Sequence, residues 1–364
     1  MIRVLHLPDN IEKRNGRMSV IMSIYRKLDR SKIQFDFACT DYGFENFEDE
    51  IKELGGNVYK IPSTENSFKN IKSMVNELLK TGRYSFLHYH ALSKWGCTLG
   101  IANKYHVKTI VHSHATELSD TLFKSIRNRI FSLNIFNNGD KLVAVSPEAG
   151  KKLFIFKKYT YIPNMINYKK YAFNKNNRLN IREKYGIEEN DLLIGNVGRI
   201  SIQKNQEYAI KCLKHIKQSN FKLMFVGDAD NNQQIKKIKD LVLSLGLDSK
   251  VIFTGMVTDV ERYYSAFDIF WLPSLYEGMP TVGIEAQANG LYVLVSEAVS
   301  KNLDITGNVR FLKIKEDDIE NWANLTESLV KTVKSHDVSA ITKIENSEFN
   351  SKKVIEQWKK LYEV

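Results

Sequence analysis

Residues 273–290 read PSLYEGMPTVGIEAQANG and hold the densest set of groups able to do chemistry in the chain. An apolar run closes at Trp271–Pro273, a short loop follows, and Pro280 suits the first position of a helix, where its missing N–H costs nothing. The amides of Gly278, Met279, Thr281 and Val282 would then ring a helix N-terminus, whose partial positive charge favours a phosphate. Glu277 lies just before that helix, and Glu285 stands eight residues further on. Two carboxylates would repel a phosphate directly, so they suit hydroxyls on either side of it, as on a ribose and a sugar. Taken singly, each is better explained as a solvated first-turn acid. The same half of the chain also supplies cations: the run LLIGNVG closes on Gly198, and Arg199 and then Lys204 follow it. An arginine fork with a lysine point charge is a pair suited to a diphosphate. The pattern predicts a sugar-nucleotide site.

Such groups need a scaffold that ends several strands at one edge. Short runs rich in β-branched residues alternate with longer amphipathic stretches, the pattern of βαβ units and a parallel sheet. The expected strands are 2–7, 35–40, 57–61, 86–90, 109–114 and 141–146, with helices over 19–28, 44–54, 68–79 and 122–136. Periodicity breaks at YIPNMINYKKYAFNKNNRL, which predicts an interdomain linker. It then restarts with strands over 192–198, 221–227, 250–255, 269–273 and 292–296 and helices over 206–218, 233–245, 257–265, 280–289 and 319–336. The expected fold is α/β, two doubly wound domains with a cleft between them, over 1–165 and 166–350. Ligands of such sheets sit beyond the carboxyl ends of the strands.

Composition narrows the classes. The 364 residues, 43% hydrophobic and 26% charged, exclude disorder and carry no repeat that would make a solenoid. Three cysteines, Cys39, Cys97 and Cys212, are too scattered for a disulfide framework or a thiolate zinc site. No run is long and apolar enough to span a bilayer, and MIRVLHLPDN has no signal-peptide pattern, so a cytoplasmic protein is expected. Charge is uneven: residues 1–165 carry 25 Lys and Arg against 16 Asp and Glu, whereas the remainder is nearly balanced. A basic half favours an anionic partner, a membrane surface or nucleic acid.

Together, IYRKLDRSKIQFDF (24–37), HSH (112–114), AVSPEAGKKLF (144–154), IPNMIN (162–167), VGRISIQKNQ (197–206) and SLYEGMPTVGIEAQANG (274–290) resemble the retaining glycosyltransferases of family 4. The likeness runs over nearly the whole chain and is strongest to EpsF-like exopolysaccharide and capsule enzymes. It implies the GT-B fold of two facing Rossmann-like domains, an acceptor-side domain over 1–165 and a nucleotide-sugar domain over 166–350. It also implies a last helix, 351–364, that returns to the first domain. Arg199 and Lys204 would hold the donor diphosphate, Glu285 the ribose and Glu277 the donor sugar. Amides of Gly278, Met279, Thr281 and Val282 beside Pro280 would assist, the base would rest near Met256 and Val257, and His114 would face the transferred sugar. His112 is its close competitor, since period-two alternation puts both on one face; His88 and His90 are read as structural.

One loop departs from the family's Gly-Gly: here it is Asn15-Gly16-Arg17. Asn tolerates a positive φ, so Gly16 stays a site residue, and Arg17 is read as a solvent-exposed charge in preference to a third phosphate cation. The Asp228–Asp230 triplet is read as loop chemistry, not as a metal site. The resemblance implies transfer from a UDP-sugar to a lipid-linked oligosaccharide, with no cofactor and no metal, by an enzyme peripheral to the inner face of the membrane. Residues 122–136 and 151–163, where cations mix with apolar side chains, are the candidate membrane contacts. Two alternatives stay open: a GT-B-shaped sugar-nucleotide epimerase, and a nucleic-acid-binding protein, for which no recognised motif is present.

Overall fold

The computed structural model describes residues 1–13, 15–114, 135, 137–229, 231–332 and 336–364. The chain forms two compact units, residues 1–165 with 351–364, and residues 166–350. In the first, seven parallel strands run β3-β2-β1-β4-β5-β6-β7. They are β1 Ile2–Leu7, β2 Ile33–Asp41, β3 Val58–Pro62, β4 Phe86–His90, β5 Lys108–Ser113, β6 Lys141–Ala144 and β7 Thr160–Tyr161. β2 is buried along eight of its nine residues, as expected of a strand covered on both faces.

Period-two alternation sends the two faces of the sheet into separate cores. Val4, Phe35, Phe37, Phe86 and Ile110 pack with the helices Gly16–Tyr25, Glu48–Glu53 and Ser351–Leu361. Leu5, Leu7, Leu87 and Val111 pack with Phe68–Lys80, Leu99–Lys104 and Pro147–Phe154. The helix Ser351–Leu361 lays Val354, Ile355, Trp358 and Leu361 into the first of these cores, and Tyr362 follows them.

The second unit has six parallel strands in the order β10-β9-β8-β11-β12-β13. They are β8 Leu192–Val197, β9 Phe221–Val226, β10 Val251–Phe253, β11 Ile269–Leu272, β12 Val293–Ser296 and β13 Val309–Leu312. Sequence reading missed β13, the two-residue β7 and the helices Leu99–Lys104, Pro147–Phe154, Lys175–Lys184 and Ala340–Asn346.

Lys175–Lys184 begins inside the stretch read as linker. Its polar sequence is anchored by charge where an apolar stripe would usually serve. Arg182, 2% exposed, donates to the carbonyl oxygens of Ala266, Glu188 and Asp191 at 2.6–2.8 Å, and Arg178 pairs with Asp268 at 2.9 Å. The expected helix over 122–136 lies outside the described residues apart from Ile135, which is buried.

Candidate functional site

Because β8 and β11 are parallel neighbours, the loops that leave their carboxyl ends meet. Leu275 N–H donates to the Gln203 carbonyl at 2.8 Å, Gln203 Nε2 to the Tyr276 carbonyl at 3.0 Å and Asn205 Nδ2 to the Pro273 carbonyl at 3.1 Å. Asn205 adopts φ +55° at the start of the helix Gln206–Leu213, a conformation Asn accepts more readily than most residues. These bonds bring Lys204 Nζ to 2.7 Å from Glu277 Oε1, with the two side chains only 16% and 9% exposed. The lysine expected to meet a diphosphate and the carboxylate expected to meet a sugar are thus an ion pair.

The neighbouring turns are tight. Gly198 has φ +140° and Gly227 φ +134°, and a Cβ at Gly227 would stand 2.3 Å from the Gly198 carbonyl oxygen. Gly227 also donates to the Gly255 carbonyl at 3.0 Å, which draws the loop carrying exposed Met256 and half-buried Val257 to the same sheet edge. Arg199 is exposed at that edge, and its carbonyl accepts from Gln206 Nε2 at 2.9 Å. Asp228 accepts from the Ala229 amide at 2.8 Å, and Asp230 lies outside the described residues.

Pro280 caps the helix Thr281–Ala288 and is not its first residue, since its backbone is extended (φ −73°, ψ 109°). The Gly283 amide bonds back to the Pro280 carbonyl at 3.1 Å, which leaves Thr281 and Val282 as the first-turn amides without an intrahelical acceptor. Gly278 and Met279 are buried in the loop ahead of the cap.

Glu285, on the same helix, accepts a hydrogen bond from Tyr264 Oη at 2.7 Å and others from the Tyr171 and Thr281 hydroxyls. Burial pushes its carboxyl above the ordinary range, while those hydroxyls and the Lys204 charge pull the other way. Tyr171 and Tyr264 escaped sequence reading because they are distant in the chain and carry no motif.

In the first unit, Gly16 opens the helix Gly16–Tyr25 after β1, and a Cβ there would meet nothing within 4 Å. Asn15 is not left-handed: with φ −84° it is the helix cap, and its side chain accepts from the Arg17 amide. Nor is Arg17 solvent-exposed, for it turns inward, Nη1 lying 3.3 Å from the Pro8 carbonyl oxygen and 3.4 Å from that of His90.

Beside Arg17 the strand order β1-β4-β5 aligns five histidines on one face: His6, His88, His90, His112 and His114. His6 pairs in register with His88, and His90 with His112. His114 is half-buried, whereas His112 is 1% exposed with neither ring nitrogen hydrogen-bonded to a described residue. Of the two competitors, His114 is the more accessible. Burial lowers the basicity of all five rings, His112 to about 3, and the Arg17 charge adds to this at His112 and His114.

Ring nitrogens of His6, His88 and His90, and of His90, His112 and His114, lie within 4.8 Å of one another. A transition metal can use such spacing, although one nitrogen pair in each group is hydrogen-bonded together and Arg17 opposes a dication at the second. His6 was not singled out from sequence. The signal was there, histidines two apart at the ends of strands, but only the sheet order joins them.

Two family models match, Glycosyltransferase Family 4 over residues 15–170 and Glycosyl transferases group 1 over residues 177–340. EpsF of Bacillus subtilis (strain 168), described as a glycosyltransferase, is 30% identical over 88% of this chain and 86% of its own length. The Escherichia coli UDP-Gal:alpha-D-GlcNAc-diphosphoundecaprenol alpha-1,3-galactosyltransferase is 29% identical over 81% of this chain and 79% of its own. The structure of Anabaena HepE in complex with UDP-glucose superposes with a TM-score of 0.84 over 100% of both chains at 16% identity. Strand order, unit architecture and these likenesses agree: the chain is a GT-B glycosyltransferase that belongs to family 4, related to exopolysaccharide and capsule enzymes.

Proposed function

We propose that this protein transfers a sugar from a UDP-sugar to a hydroxyl of a lipid-linked saccharide, with retention of anomeric configuration, in exopolysaccharide or capsule assembly. The observation that carries the reading is the Lys204–Glu277 pair, held at the carboxyl edge of β8 and β11 beside the start of the helix Thr281–Ala288. Two relatives support the donor and acceptor classes: the E. coli enzyme is named for UDP-Gal and a diphosphoundecaprenol acceptor, and HepE holds UDP-glucose.

In this reading residues 166–350 take the donor and residues 1–165 with 351–364 serve the acceptor. Arg199, Lys204 and the Thr281 and Val282 amides receive the diphosphate, Glu285 the ribose hydroxyls, Glu277 the sugar, and the backbone at Met256 and Val257 the base. Gly16 leaves room for backbone approach to a phosphate, and His114 addresses the transferred sugar. Catalysis is orientation plus stabilisation of the departing charge by groups already in place. The bond from the anomeric carbon to the UDP oxygen breaks, the acceptor oxygen bonds to that carbon, and the hydroxyl proton passes to the departing phosphate. The protein's own cations and amides neutralise the diphosphate, so transfer persists in the presence of a chelator.

A membrane contact is proposed at the end of the helix Pro147–Phe154. There Ile155 takes φ +53° and leaves Phe156 99% exposed, among Lys151, Lys152, Lys157 and Lys158. An apolar tip among cations suits an anionic interface, and no helix of the described residues is long and apolar enough to cross a membrane. The enzyme would then work at the inner face of the cell membrane.

The test is a panel of UDP-sugars offered with an undecaprenyl-diphosphate-linked saccharide, the product read by anomeric proton couplings. One donor should give a product with its own anomeric configuration. An inverted product, or conversion of the UDP-sugar without acceptor, contradicts the proposal.

A further inference from the structure

Within the first unit a run of hydrogen bonds starts at His114 and passes through Tyr362, just beyond the C-terminal helix, to His88. His114 Nε2 lies 2.8 Å from His90 Nδ1, and His90 Nε2 3.0 Å from His6 Nδ1. His6 Nε2 lies 3.4 Å from the Tyr362 hydroxyl, which in turn is 2.6 Å from His88 Nδ1. Burial keeps all four imidazoles neutral, so each brings one N–H and one lone pair, and Tyr362 brings one O–H.

Five groups with one proton each and four links leave three consistent arrangements. One has the Tyr362 oxygen accept from both His6 and His88, which strands its own buried O–H without an acceptor in the run, a costly defect, and two remain. In the first every donor points towards His114, and all four rings carry the proton on Nδ1. In the second every donor points away, and all four carry it on Nε2. The arrangements differ at the far end, where His88 Nε2 is buried without a hydrogen-bond partner among the described residues, its ring stacked 5.6 Å from that of Trp358. The first leaves a bare lone pair there; the second leaves an N–H. A buried N–H without an acceptor is the rarer defect, as it is for backbone groups.

We propose that this chain fixes His114 as the neutral Nδ1–H tautomer, a hydrogen-bond donor to the transferred sugar and not a base, with His90 as the residue that positions it. The role towards sugar rests on the function proposed above, whereas the tautomer does not.

The experiment labels histidine with 13C and 15N in the full chain and reads the ring shifts. Nδ1–H tautomers at His6, His88, His90 and His114 are expected, against the preference of free imidazole. An Nε2–H tautomer, or a mixture, at His114 overturns the proposal. The same spectra are then recorded with kinetics for two variants. His90→Phe keeps a ring between His88 and His112 but deletes the donor to His114. Its kcat should fall about tenfold, the rate equivalent of one hydrogen bond, with donor KM unchanged. His90→Asn, whose amide can still donate to His114, should recover most of that loss. An unchanged kcat in folded His90→Phe overturns the positioning role. If either variant fails to fold, the wild-type spectrum decides; if no donor supports transfer, the proposed function falls while the ring shifts still settle the tautomer.

Discussion

Glu277→Gln separates two roles that the ion pair with Lys204 entangles. At 2.7 Å the gross attraction between unit charges is about 6 kcal/mol for an effective dielectric constant near 20. Desolvation returns much of it, and removing one partner of a fully buried pair costs about 3–5 kcal/mol. With side chains 16% and 9% exposed, and with an amide still able to accept from Lys204, a loss of about 2–3 kcal/mol is expected. For a unit of this size that lowers the melting temperature by about 5–10 °C. Binding should move the other way for UDP, because the ammonium no longer has an internal carboxylate to leave. UDP affinity should equal or exceed that of wild type, and UDP should raise the melting temperature more. The UDP-sugar, deprived of its carboxylate contact, should bind more weakly. Lys204→Ala loses the same pair yet should bind both ligands poorly. Scanning fluorimetry and calorimetric titration of each variant give all four quantities. If Glu277→Gln weakens UDP as much as Lys204→Ala does, the carboxylate is not competing with phosphate for the lysine and the reasoning fails.

Burial raises Glu285 above its usual 4.5, so the native state binds a proton more tightly than the unfolded chain, and this contribution to stability is lost as pH rises through the folded value. Glu285→Gln should therefore gain in melting temperature over wild type as pH goes from 4 to 7, while weakening UDP; a gain that shrinks with pH contradicts the burial argument. Trp358 is 1% exposed in the core beneath β1 and β4, and Trp358→Ala should cost the first unit about 3–5 kcal/mol in urea unfolding, with less than 1 kcal/mol arguing against a docked helix. Phe156→Ser should reduce sedimentation with anionic vesicles without altering the melting temperature, since the ring makes almost no contact with the protein. Equal binding by the variant would remove the loop from the membrane contact.

Much of the sheet was legible because strands covered on both faces must be apolar throughout, and runs such as LLIGNV and FKLMFV stand out against polar helices. The stripe Val354, Ile355, Trp358 and Leu361 was legible for the same reason at helical period. Lys175–Lys184 was not, since its buried residues are Ile181 and a guanidinium held by four backbone carbonyl groups, and nothing local announces where those carbonyls are. Pro280 shows how close the margin is at helix ends: proline fixes φ but not ψ, and here ψ is extended. Arg199, Lys204, Glu277 and Glu285 were visible as chemistry in the sequence. That Lys204 and Glu277 neutralise each other, that two tyrosines donate hydrogen bonds to Glu285, and that Arg17 turns towards His90 are consequences of loops meeting in space. The histidine chain is the clearest case, with its members from three strands and a terminal tyrosine separated by up to 356 positions.

The central claim is that the loop after β8 supplies the cations that hold a donor diphosphate. Calorimetric titration of UDP into wild type and into the Arg199→Ala Lys204→Ala double variant tests it most directly. Saturable one-site binding to wild type is predicted, with a loss of about a hundredfold in the double variant, the scale on which a preorganised charge-stabilising group acts. Equal affinity in the two proteins, with the variant folded, would contradict the claim.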